Sequence, residues 1–261
     1  MAIWNDLNDE LNRWQDTGKD ATFWWRDDDA IEPTDLLERL IQISSENTAP
    51  CMVAVVPHLA VPALTLRLND APTIYPAQHG YRHINHAPEG QKATEFGDHR
   101  NRTVLENELR DGWQSLQSFN RLAPIFVPPW NRMTDELNGY LRSIGLEGVS
   151  QHAPRKAKIA KGGLVQVNTH VDIINWRTTR GFAGMEKVLV YVLSHLQSRR
   201  IGQVDDAEPT GVLTHHLNHD EGCWAFMDEL LDWTNSKSNV RWITPFEAFE
   251  IAVPKMNWEN K

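Results

Sequence analysis

The chain has 261 residues, 41% apolar and 23% charged, which is enough for one large hydrophobic core and too apolar for a disordered segment. Its 26 Lys and Arg stand against 35 Asp and Glu, a formal charge of −9, and no basic run offers the footprint of a nucleic-acid binder. Cys51 and Cys223 make neither a disulfide framework nor a thiolate metal site. The polar, acidic start lacks a signal peptide's apolar core. The longest apolar run, Cys51–Val56, stops at Pro57 and His58, short of a membrane span. These features predict a cytoplasmic protein that contacts neither membrane nor nucleic acid.

In chain order, short apolar runs alternate with longer helical patterns. Thr22–Trp25 reads as a strand, and Pro33 then opens a helix with Leu36, Leu37, Leu40 and Ile41 on its apolar face. Cys51–Val56 and Tyr75–Gln78 read as strands, and Asn101–Phe119 as a long helix. Ile125–Val127 is a short strand ended by Pro128 and Pro129, with helix over Thr134–Ile144. Leu164–Ile173 alternates as a strand, Met185–Leu196 is helical, Val212–Thr214 is a strand and Cys223–Trp233 a helix. Thr244 and Pro245 read as N-cap and first residue of a last helix, Phe246–Ile251. Six or seven strand–helix units predict a single domain over 1–261, a parallel sheet covered by helices. Neither GxGxxG nor GxxxxGK[ST] occurs, so a barrel is favoured over a nucleotide-binding open sheet. In a barrel, chemistry gathers at the carboxyl ends of the strands.

Five segments place polar residues at such ends. The first is Phe23–Asp29, where Asp27, Asp28 and Asp29 follow an apolar strand. They form either a solvated turn or a strand end delivering two carboxylates into a cleft for two different tasks. The second is His79-Gly80-Tyr81-Arg82-His83, with His86 beyond; an i, i+4 pair on a helical turn could grip one metal ion. The third is Leu213-Thr214-His215-His216, either a helix-start turn or the seat of a general acid, with His219 at the surface. The fourth is Val127-Pro128-Pro129-Trp130, where rigid prolines hold Trp130 over the strand end, or simply bury it. The fifth is Thr169–Trp176, in which Asp172 needs a partner if buried and Trp176 is core or a sugar platform. HExxH and GxSxG are both missing, which leaves zincin-type and serine hydrolysis unsupported.

In this order the segments resemble the motif series of the polysaccharide deacetylase family, the NodB homology domain or carbohydrate esterase family 4. Trp25–Asp29 is similar to its TFDDG, His79–His83 to H-[ST]-x-x-H, and Val127–Trp130 to R-x-P-[YF]. Asp172 with Trp176 and Leu213–His215 match its fourth and fifth motifs. The resemblance implies a distorted (β/α)7 barrel. It also implies Asp28, His79 and His83 as ligands of a divalent metal, usually zinc. Asp27 would be the base, His215 the acid (His216 if the register slips by one), and the backbone N–H of Trp130 an oxyanion donor. Asp172 and Trp176 would complete the substrate site. The implied reaction is N-deacetylation of an acetylated amino sugar or related glycan, or a small molecule of that kind.

Three departures bear on this. Val127 replaces the family's Arg, for which Arg26 or Arg132 could substitute; Gly80 replaces Ser/Thr; and Asp29 replaces Gly. Val127 motivates one rival reading, a non-catalytic ligand-binding protein on the same barrel. The expected cytoplasmic location motivates another, a metal hydrolase of a cyclic amide or phosphoester.

Overall fold

The sheet is built around β1 (Ala21–Ala30), whose buried side chains sort by parity, as a pleated strand requires. Phe23 and Trp25 join the apolar layer under the helices, whereas Trp24 joins Met52, Ala54, Ala77, Ile125, Val127 and Val167 inside the barrel. Each buried indole N–H has a partner: Trp24 donates to the carbonyl of Asn168 (3.1 Å) and Trp25 to Oγ1 of Thr214 (2.8 Å).

The computed structural model describes residues 2–253. In chain order the elements are α1 (Ala2–Asp16), β1, α2 (Asp35–Glu46), β2 (Cys51–Val55), α3 (Pro62–Asn69), β3 (Ile74–His79), α4 (Arg102–Ser115) and β4 (Ile125–Val127). Then come α5 (Asn138–Ser143), β5 (Gly148–Val149), β6 (Val165–Gln166), β7 (Val171–Asp172), α6 (Met185–Arg200), β8 (Thr210–Thr214), α7 (Glu221–Asn235), β9 (Val240–Trp242) and α8 (Pro245–Ala248). The strands pair in the order β6-β5-β4-β3-β2-β1-β8-β7, with β9 added on β1, and the ladders are parallel. The bridge from His152 to Thr169 carries the β5–β6 register onward, and the next N–H, of His170, turns to the carbonyl of Gly211 in β8 (2.7 Å). One continuous segment thus links the two ends of the strand order across a seam, and the sheet curls into a distorted barrel.

Several boundaries differ from the sequence reading. β1 continues past Trp25 and takes all three aspartates into the sheet. The alternating run Leu164–Ile173 is two strands, because Gln166 pairs with Val149 on one side of the seam while Val171 pairs with Val212 on the other. The stretch after Thr134 is a 3₁₀ turn, Asp135–Leu137, before the short α5. The last helix starts as expected, with a capping box between Thr244 and Glu247, but ends at Ala248. Helix α1, unremarked in the sequence, buries Leu7, Leu11 and Trp14. Its spacing puts them on one stripe.

At the seam, Glu208 is buried and accepts the backbone N–H groups of Arg155 and Asn168, each at 2.8 Å. Burial outweighs those donors and the nearby Arg155, pushing its carboxyl up to about 7 from 4.5. A raised carboxyl binds its proton more tightly in the folded chain. Its contribution to stability therefore declines as pH rises from 4.5 to about 7, then levels off. Glu208→Gln should abolish that decline, on the order of 2 kcal/mol, in thermal unfolding followed between pH 5 and 8. A wild-type-to-variant difference that does not change with pH would contradict it.

Candidate active site

The carboxyl end of β1 carries a bulge. Its pairing with β2 slips between Asp27 and Ala30, and Asp29 takes a left-handed backbone with φ of 77°. A bulge re-aims the side chain that follows it. Asp28 and Asp29 therefore line the same cleft, of about 560 Å³, instead of alternating across the strand. His79, His83, Trp130, Asp172, Trp176 and His215 line it too, so six residues singled out from sequence meet there with Asp28.

The two histidines reach the cleft by a route other than the helical turn expected. β3 ends at His79, and positive φ angles at Gly80 (56°) and His83 (57°) wind the loop back on itself. Position 80 has no room for a side chain, since a Cβ would sit 2.3 Å from Oε2 of Glu95 and 2.5 Å from Cγ of Pro129. The loop is braced from outside by the buried Glu95, which accepts the N–H groups of Tyr81 (3.1 Å) and Arg82 (2.7 Å). The loop thus has a carboxylate brace although Gly80 offers no hydroxyl.

The side chains that could hold a metal are Asp29, His79 and His83, whose ligand atoms all lie within 4.8 Å of one another. Oδ1 of Asp29 is 3.1 Å from Nε2 of His79 and 3.3 Å from Nε2 of His83. Ligand atoms about 2.0–2.1 Å from a tetrahedral ion lie about 3.4 Å apart, which these spacings approach. Nδ1 of His79 faces the carbonyl of Val127 at 3.0 Å. A carbonyl only accepts, so this nitrogen carries the proton and Nε2 turns a lone pair toward a carboxylate oxygen. Lone pairs facing each other need a proton or a cation between them, and the donor set fits a divalent ion. Burial raises the Asp29 carboxyl, but His79, His215 and His83 outweigh it and hold it well below the usual carboxylate range. The carboxylate expected from sequence beside these histidines was Asp28, whereas the bulge brings Asp29 within reach of both.

His170, His195 and Glu208 also gather. However, the two imidazoles stack at 3.5 Å with planes 17° apart, so their in-plane lone pairs run side by side and do not converge. Nδ1 of His170 also accepts the N–H of Gly211 (3.0 Å), placing its neutral-state proton on Nε2. That cluster is structural.

Asp28 points inward with Arg26, two residues before it on the same strand face. The buried guanidinium donates to Oδ2 of Asp28 (2.9 Å) and Oδ1 of Asn131 (2.6 Å), and on its other arm to Oγ of Ser150 (2.8 Å) and the carbonyl of Gln151 (3.1 Å). Of the two cations offered as substitutes for the family's Arg, Arg26 thus reaches the cleft carboxylate, and Val127, at the end of β4, is an apolar interior residue. Oδ1 of Asp28 is buried without a donor. Nε2 of His215 lies 3.9 Å from Oδ2 of Asp28, and its ring meets Trp176 edge-on at 4.7 Å. Asp172 accepts the indole N–H of Trp176 (2.8 Å) and the N–H of Ile174 (3.0 Å), so its partner is not an arginine. Trp130, with φ of 54°, lays its ring 4.4 Å from that of His83.

Asp27, expected as the base, faces away from the cleft and is fully buried. Its Oδ2 accepts the Thr214 hydroxyl (2.6 Å) and the His216 N–H (2.9 Å), and Oδ1 pairs with Nδ1 of His216 (2.5 Å). Parity puts it with Phe23 and Trp25 on the helix side of β1, out of reach of a water between the ligands. It grips both residues flanking His215. His216, the alternative acid, belongs to this outer pair. Burial opposes each charge, yet each holds the other, with Asp27 below and His216 above its ordinary range. His219 is not a plain surface residue. Its ring packs on Trp224 at 4.3 Å, and burial lowers it to about 4. Sequence reasoning missed His152, Arg180 and Asn218, which also line the cleft and carry no motif.

No protein-family model matches the sequence, and no curated relative is found for it. Solved structures do resemble it. A proposed polysaccharide deacetylase from Mycobacterium smegmatis superposes with a TM-score of 0.64 at 16% identity, over 89% of this chain and 90% of that one. The Bc1960 peptidoglycan N-acetylglucosamine deacetylase, bound to a naphthalenyl N-hydroxybenzamide, gives 0.56 at 12% identity over 93% and 98%. A family 4 acetyl xylan esterase from Clostridium thermocellum, in complex with a cobalt ion, gives 0.50 at 13% over 88% and 90%. The chain has the fold of these deacetylases, a distorted (β/α)7 barrel of the NodB type.

Proposed function

We propose that the protein is a metal-dependent hydrolase and a divergent relative of the polysaccharide deacetylases, removing an acetyl group from an N-acetylated amino sugar or related glycan. The observation that carries this reading is the meeting of Asp29, His79 and His83 beside the Arg26–Asp28 pair and His215 in one cleft. Moving the first motif on by one residue aligns Asp28 with the family's base and Asp29 with its metal-binding carboxylate. The positive charge missing at Val127 on β4 is then supplied by Arg26, from the same strand β1 as Asp28, which removes the feature that favoured a non-catalytic protein.

In this reading Asp29, His79 and His83 hold a divalent ion, zinc by the family resemblance, since two imidazoles and a carboxylate suit iron or cobalt as well. That ion supplies Lewis acidity to the acyl carbonyl and a lowered pKa to water. Asp28, fixed through Oδ2 by Arg26, takes the water's proton on its free Oδ1 as the oxygen attacks the acyl carbon. The Trp130 N–H stabilises the charge that develops on the carbonyl oxygen. His215 gives a proton to the departing nitrogen, because an amide nitrogen leaves poorly as an anion. Asp172 sets the Trp176 ring against His215 and so orients the acid. The C–N bond breaks, and acetate and a free amine remain.

The test is acetate release from N-acetylated sugars by purified protein, before and after chelation. Turnover that is lost with chelator and restored by zinc or cobalt is expected. Turnover indifferent to chelation, or phosphoester cleavage without amide cleavage, would overturn the reading.

A further inference from the structure

We infer that the ligand of this cleft carries an anionic group, a carboxylate or phosphate, which is received by Arg132 and Arg180; this rests on the deacetylase reading and narrows its substrate class. The whole chain is acidic at −9, so cations with no internal partner gathered at one cleft run against its overall charge. The carboxylates in the cleft are already engaged. Asp28 pairs with Arg26, Asp29 lies between two imidazoles, and Asp172 holds Trp176 and the Ile174 N–H. Arg132 and Arg180 line the same cleft from two different loops and form no ion pair among the described residues.

Neither arginine is loosely placed. Arg132 follows two residues with left-handed backbone, Trp130 and Asn131, and spends one N–H on the carbonyl of Ala93 (3.2 Å). The rest of its fork is left over. Arg180 itself has φ of 55°, its N–H bonded to the carbonyl of Asn175 (2.9 Å), and its guanidinium lies 5.8 Å over the Trp176 ring. Because Asp172 fixes that indole, it also fixes the surface on which Arg180 rests. A third cation, Lys187, which forms no ion pair among the described residues, lines a neighbouring cavity of about 320 Å³ that shares His152 and Asp172 with the cleft. A planar guanidinium with free donors matches two oxygens of a carboxylate or phosphate. Neutral glycan hydroxyls would leave that charge unanswered.

The test measures binding and turnover separately, by calorimetric titration and by acetate release. The probes are N-acetylglucosamine, its 6-phosphate and N-acetylmuramic acid, so neutral, phosphate and carboxylate forms are compared. One or both anionic probes should bind about tenfold or more tightly than the neutral one, and the advantage should shrink as salt rises from 0.02 to 0.5 M (roughly, a Debye length falling from over 20 Å to under 5 Å). The double change Arg132→Ala/Arg180→Ala should remove that preference. Arg177→Ala, an exposed arginine outside the cleft lining, should keep it. Equal affinity for all three probes, or a preference that survives the double change, would overturn the inference. Failure of every probe to release acetate while the charge preference stands would count against the deacetylase reading alone.

Discussion

Asp28→Asn is expected to lower kcat by about 10²–10⁴-fold while the protein keeps its fold and its metal. The amide oxygen can still accept from Arg26, so the buried guanidinium retains its partner, but the group can no longer take a proton from water. Oδ1 of Asp28 is a buried carboxylate acceptor in the cleft with no donor, which is the condition a base must meet before substrate arrives. Steady-state kinetics with metal analysis of the same preparations would check this. Retained turnover in Asp28→Asn, together with loss in an Asp27→Asn variant of unchanged melting temperature, would return the role of base to Asp27.

Asp27→Ala should instead unfold the protein more easily, by about 3–5 kcal/mol, the usual cost of stranding one member of a buried ion pair. On a chain of this size that is a fall in melting temperature on the order of 10 °C. The change leaves the Thr214 hydroxyl and the N–H and ring of His216 without their common acceptor, on side chains that expose nothing to water. Thr214 and His216 flank His215, so kcat should drop as well, but through a displaced acid. Differential scanning calorimetry separates the two effects. A melting temperature within a degree or two of wild type would contradict this assignment.

Much of the architecture was legible because buried parallel strands leave a plain trace. Cys51–Val55 and Ile125–Val127 are apolar runs with punctuation at their ends, and polar residues follow them where a barrel keeps its chemistry. The family resemblance located seven cleft residues for the same reason. What the pattern could not carry was local backbone geometry. Strict alternation assigns Asp27 and Asp28 to opposite faces correctly, yet a left-handed aspartate at position 29 has no sequence signal, so the pattern gave no reason to bring Asp29 to the two histidines. The i, i+4 spacing of His79 and His83 read as a helical turn, whereas the loop closes through positive φ at both Gly80 and His83. Long-range pairings were equally silent. Nothing in WRDDD announces that Arg26 pairs with Asp28, or that Asp27 meets His216 just past the end of the adjoining strand β8.

The most direct measurement is cobalt(II) binding, followed by visible absorption and stoichiometry, in the wild type and in Asp28→Ala, Asp29→Ala and His79→Ala. One equivalent bound by the wild type and by Asp28→Ala, with binding abolished in Asp29→Ala and His79→Ala, is the expected result. Cobalt retained by Asp29→Ala and lost from Asp28→Ala, or no binding by the wild type, would contradict the centre described for this cleft.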